Sequence, residues 1–156
     1  MNQKNIENMI PITMDFLKDP KFLLYDKHEV IVEKDGEKVK ESINGIKSNF
    51  FSYTASMGPA VIQSGLVKTL KYYEKPEADR SRIINILKHI LIKFLTLEDK
   101  YSENEQTLYS LYLEKTRDKP FRAKILWRNL ILESLTALKL CMDTFHKIKD
   151  EKAGGL

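Results

Sequence analysis

Eight basic side chains are spaced so that they could hold a phosphate backbone: Lys68 and Lys71, then Arg80, Arg82 and Lys88, then Arg122, Lys124 and Arg128. Lysine and arginine neutralise phosphates and release counterions, which positions a strand without reading its bases. Taken singly, each is also what a solvated helix face presents. Only their gathering on one folded face would make a phosphate-holding surface. Tyr72, Tyr73 and Trp127 could stack on bases, but they sit at the edges of apolar stripes, where packing uses the same rings.

Catalytic chemistry has less support. His28, His89 and His146 are far apart, and none belongs to a His pair at the four-residue spacing of a zinc helix. His89 reads as a surface or boundary residue of its helix, and His146 as a residue near a helix C-terminus. Asp15, Asp79, Glu98, Asp99, Glu133 and Asp143 form no recognisable acid pair or metal set, and Glu98-Asp99 reads as a solvated loop. Cys141, the single cysteine, lies in an apolar stretch and reads as a core thiol. It permits neither an internal disulfide nor a thiolate cluster. No glycine-rich phosphate loop is present. No catalytic residue, metal or cofactor is expected.

The segment Gln63-Ser64-Gly65 with Tyr72 reads differently, as a packing or subunit-contact surface. Glycine inside a helix costs about 1 kcal/mol relative to alanine. Its presence at Gly65 predicts close approach by another backbone, with Gln63 and Ser64 satisfying polar groups at the edge of that contact.

The elements that must position these residues are helical. The chain has 156 residues, 42% hydrophobic and 31% charged, with only 6 Gly and 5 Pro. That composition suits one globular, helix-rich domain with its own core. Net charge is +4, split unevenly: residues 1–50 carry 8 basic and 9 acidic groups, and residues 51–156 carry 18 and 13. A polyanion would prefer the second region. The N-terminus lacks the layout of a secretory signal, and no stretch is long and apolar enough to span a membrane. A reducing cytoplasm is the expected location.

Apolar periodicity predicts a first helix over 1–18, with Pro11 inside it. Residues 21–37 form an irregular or short-hairpin insert around the turn dipeptide Asp35-Gly36. A second helix is predicted over 38–57, ended by a Met57-Gly58-Pro59 corner, and a third runs to Tyr73 with Ile62, Leu66 and Leu70 inward. The fourth, over 79–94, has the cleanest stripe: Ile83, Ile84, Leu87, Ile90, Leu91 and Phe94, with Lys88 and His89 on or beside its polar side. Ser102 and Glu105 have capping-box spacing for a fifth. A last helix covers 121–149, apolar on more than one side but with Glu133 on an exposed line. The expected fold is an all-α, compact bundle of five or six helices: one domain over 1–150 and a flexible tail over 151–156.

The run Phe51-Ser52-Tyr53 through Ala60-Val61-Ile62-Gln63-Ser64-Gly65-Leu66 to Leu70-Lys71-Tyr72-Tyr73 resembles the small, all-helical subunit of the Cmr (type III-B) CRISPR-associated effector complex. Ala78-Asp79-Arg80-Ser81 looks like that family's next helix start. Leu132-Glu133-Ser134-Leu135-Thr136-Ala137-Leu138-Lys139-Leu140, followed by Phe145, resembles its C-terminal helix. The likeness covers roughly residues 40–148, and the first helix fits as well. The segment Tyr25 to Glu37 is longer and more strand-like than the family's connection.

The resemblance implies a noncatalytic protein. Copies would stack into a minor filament beside the crRNA-bearing backbone, contact the other Cmr-complex subunits and help enclose the crRNA and target RNA, with no membrane involved. Guide pairing would read sequence while protein holds shape. The eight basic residues are then expected to face the RNA backbone, by charge and location rather than by motif. The alternative is a helical protein–protein adaptor unrelated to CRISPR; an enzyme ranks behind both.

Overall fold

The computed structural model describes residues 1–97 and 106–149. It is an all-α bundle of six helices carrying a β-hairpin insert. Helix α1 (Gln3–Lys18) starts where Asn2 Oδ1 accepts the N–H groups of Lys4 (3.0 Å) and Asn5 (3.4 Å). It continues through Pro11 and buries Ile6, Met9, Thr13 and Leu17, one apolar stripe, against α6. A short 3-10 turn (Pro20–Phe22) leads into the hairpin.

The hairpin is longer than the sequence pattern predicts. Strand β1 (Tyr25–Lys34) pairs antiparallel with β2 (Glu37–Lys47), from Lys34 opposite Glu37 at the tip to Tyr25 opposite Ile46 at the root. Asp35 and Gly36 turn the chain with φ of 53° and 81°, the left-handed pair that two-residue hairpins favour. Residues 38–47, read above as the first half of a helix, are therefore strand. Ile43, Ile46, Phe50 and Tyr53 have helical spacing only because the register runs across a strand–helix junction. Strand β3 (Lys147–Ile148) adds to β2 in parallel, and Ile46 N–H donates to His146 O at 2.8 Å.

Helix α2 (Ser48–Ser64) passes through Gly58-Pro59 without a break. A residue before proline is normally pushed out of the helical region by contact with the proline ring; Gly58 has no Cβ to make that contact. The chain bends instead at Gly65, between α2 and α3 (Leu66–Tyr73). Gly65 has φ 87° and ψ 158°, a conformation that side chains resist, and an added Cβ would meet nothing within 4 Å among the described residues. The close approach expected at Gly65 is therefore not made within the described part of the chain. Glycine stands there for the backbone angle. Gly65→Ala and Gly65→Leu are accordingly expected to cost about 1–2 kcal/mol each, nearly equally, in urea unfolding; a leucine much worse than alanine would return the cause to crowding.

Helix α4 (Ser81–Phe94) is the centre of the molecule. Ile83, Ile86, Leu87, Ile90 and Leu91 have no exposed surface, and α1, α2, α3, α5 and α6 all pack against it. Helix α5 (Leu108–Thr116) is capped by Thr107 Oγ1, which accepts Ser110 N–H at 3.1 Å. The proposed Ser102–Glu105 cap, the Glu98-Asp99 loop and the tail over 151–156 lie outside the described residues. Helix α6 (Phe121–Met142) stops short of 149, because the chain turns at Asp143 to lay β3 on the hairpin root. Its second half is core; in its first half Phe121, Ile125 and Leu126 are exposed. No helix among the described residues is long and apolar enough to cross a membrane.

Candidate functional site

The bend at Gly65 brings the end of α2 and the start of α3 alongside the first two turns of α6. Between them lies an open groove of about 440 Å³. Ile62, Val67, Phe121 and Ile125 are the exposed apolar side chains along it, with Ile62 at 74% and Phe121 at 73% relative exposure. The sequence pattern placed Ile62 inward. Extending α2 to Ser64 rotates it outward while Val61 takes the core position. Lys68, Lys124 and Arg128 border the groove, and among the described residues no acidic side chain lines it. Ser64 and Gly65 form part of its wall, and Gln63 is exposed beside them.

Three of the eight predicted cations thus converge. Arg122 is exposed at the start of α6. Lys71, Arg80 and Arg82 form a second group at the α3–α4 connection. Arg80 lies over the exposed Tyr72 ring, 4.0 Å from its centroid, and its Nε donates to Tyr72 O at 2.8 Å. Arg82 donates to Leu23 O (3.2 Å), lies 3.8 Å from Asp79 Oδ1 and faces the Phe50 ring. Lys71 sits 5.3 Å from the Tyr109 ring centroid. Both guanidinium groups thereby pin the connection to the body.

Lys88 belongs to neither group. It is 6% exposed, beside Glu74, so it is withdrawn from the surface on which a phosphate backbone could lie. Glu74 Oε1 accepts Tyr109 N–H at 2.7 Å and so ties α3 to the start of α5. Burial pushes the Glu74 carboxyl above its ordinary range, outweighing the Tyr109 and Thr107 hydrogen bonds and the Lys88 charge that pull it down. A carboxyl raised on folding stabilises most while protonated in both states, below its unfolded pKa. That contribution is lost as pH climbs through its raised folded value. Glu74→Gln keeps an acceptor for Tyr109 and is expected to flatten this part of the stability–pH curve, as read by urea midpoints across mildly acidic pH.

His89 is buried rather than at the surface. Its ring lies edge-on to Phe16 and Phe22, with Nδ1 2.8 Å from Asn85 O. Tyr73 is buried and donates its hydroxyl to Tyr53 O at 2.9 Å, and Trp127 is buried too, leaving Tyr72 as the exposed ring of the three. Cys141 donates to Ile10 O at 3.6 Å, and burial pushes its thiol up to about 11, so it stays protonated at neutral pH. Among the described residues no group of three or more His, Cys, Asp or Glu side chains converges to hold a metal. The cavity at the hairpin root, about 640 Å³, mixes Lys47 and Lys149 with Glu29 and Asp79, so it concentrates neither sign.

The apolar groove was missed in the sequence because Ile62, Phe121 and Ile125 look like ordinary stripe residues. The available signal was surplus: α6 carries more apolar side chains in its first two turns than one buried face can use. No family model matches the chain, nor does any curated protein or solved structure.

Proposed function

We propose that this chain is a noncatalytic small subunit of an RNA-guided type III-B CRISPR effector complex, working in the cytoplasm beside the crRNA-bearing backbone and helping to hold target RNA. The observation that carries the reading is where the family-like Tyr53–Tyr73 run ends up. It lies in α2 and α3, and its bend meets the first two turns of α6 in one exposed apolar surface with a cationic rim. An assembly subunit needs such a surface for its neighbours.

In this reading RNA approaches the α3–α4 corner, where Tyr72 offers an exposed ring backed by Arg80, with Lys71 beside it in the chain. Other faces meet neighbouring subunits, copies of the same chain included. Coexpressed with its partner subunits, the chain is expected to copurify with the crRNA-containing complex. Its exclusion from that complex, with the partners present and folded, would overturn the proposal. Capture of partners without any guide RNA would instead favour a CRISPR-independent adaptor. Within the assembled complex, Lys71→Gln with Arg80→Gln is expected to reduce the salt dependence of target-RNA binding by about one unit of slope per lost phosphate contact.

A further inference from the structure

The geometry points to the groove between the α2–α3 bend and the start of α6 as a docking site for an acidic amphipathic helix of a different protein chain. This deepens the assembly reading above by naming the kind of partner. Phe121 and Ile125 are one turn apart on α6, as are Lys124 and Arg128. The first pair makes an apolar row and the second a parallel cationic row, together spanning about two helical turns. Ile62 and Val67 close the apolar floor from the other side, with Lys68 on the far rim. A helix laid along such a floor buries residues spaced three and four apart, and its flanking carboxylates meet the rim.

Charge selects the occupant. Among the described residues the lining carries three cations and no acid. A two-fold contact with a second copy through this face would set Lys68, Lys124 and Arg128 against their own counterparts, which like-charge repulsion opposes. RNA fits the rim but not the floor. Phe121 offers one exposed ring, but Ile62, Val67 and Ile125, which make up the rest of the exposed floor, have no π-face on which a base could stack, and burying them against phosphates gains little.

The test uses the full chain and three probes in methyl-detected NMR titrations. One is a synthetic amphipathic peptide of about four turns with leucine on one face and glutamate elsewhere. The second has lysine for glutamate, and the third is a uridine-rich single-stranded RNA. The acidic peptide is expected to shift the methyl signals of Ile62, Val67 and Ile125. Binding should weaken about tenfold or more in Ile62→Ser with Phe121→Ser, exposed changes that leave the unfolding midpoint in place. Lys68→Glu with Lys124→Glu and Arg128→Glu should reverse the preference toward the lysine peptide.

No shift with the acidic peptide, equal binding of both peptides, displacement of the acidic peptide by RNA at these methyls, or self-association abolished by Ile62→Ser would each overturn the inference. The titration uses the isolated chain, so it fails separately from recovery of the chain in a crRNA complex.

Discussion

Gly45→Val is expected to destabilise the chain by about 3–4 kcal/mol, the largest effect of any single surface-distant change proposed here. A Cβ at position 45 would fall 2.5 Å from His146 O and 2.9 Å from the Ile148 side chain. Neither neighbour can yield cheaply. His146 O is the acceptor for Ile46 N–H, and Ile148 is buried where β3 meets β2. Relieving the clash means lifting β3 off the hairpin, which strands that backbone pair and uncovers Ile46. Even Gly45→Ala should cost about 2 kcal/mol by the same route. Urea unfolding checks both, with loss of amide protection at Ile46 as the local sign. A valine variant as stable as the parent would show that the C-terminal segment does not clasp the hairpin.

Glu133→Ala should follow at about 2–3 kcal/mol. Glu133 was expected on an exposed line of the last helix, yet it is 3% exposed. Its Oε1 accepts Asn2 N–H (3.1 Å) and its Oε2 accepts Asn5 Nδ2 (3.1 Å), so a carboxylate from α6 sits at the N-terminus of α1. Hydrogen bonds to a charged acceptor are worth about 1.5–3 kcal/mol each, and a helix start favours an anion. Truncation removes both bonds and leaves space beneath the first turn. Glu133→Gln retains acceptor capacity but loses the charge, so it should recover part of the loss. Hydrogen exchange in the first turns of α1 distinguishes this cause from a general loosening. Protection there should fall before protection in α4 does.

Much of the architecture was legible in local pattern. The α4 stripe was read almost residue for residue, because a helix buried among five others needs an uninterrupted apolar repeat. Asp35-Gly36 announced its turn, and Cys141 its place in the core. Failures arose where two periodicities overlapped or where a residue's role was set by something distant. The β2 strand was hidden because Val39, Glu41 and Ile43 alternate only weakly before a helical stripe takes over. Gly58-Pro59 looked like the corner because proline usually breaks a helix; the actual bend sits one element boundary later, at Gly65, whose positive φ no side-chain pattern encodes. Lys88, His89 and Glu133 were given to solvent because charged and polar types usually go there. Their burial follows from neighbours contributed by Glu74 and the residues leading into α5, by α1 with the 3-10 turn, and by the chain's first residues. The cationic rim was visible as residue types, but its convergence on a groove required the fold.

The bridge between residues 46 and 147 joins segments about a hundred residues apart through two paired positions. Such a contact has high sequence separation and returns little enthalpy for the loop it must close. The helices between its two strands must first draw those strands together, so it is expected to form in the last phase of folding and to open in the first phase of unfolding, as pulse-labelled hydrogen exchange at Ile46 would show. In a chain made from its N-terminus, residues 25–47 therefore emerge long before the segment that completes their root, and the root stays open until residues 147–148 have followed.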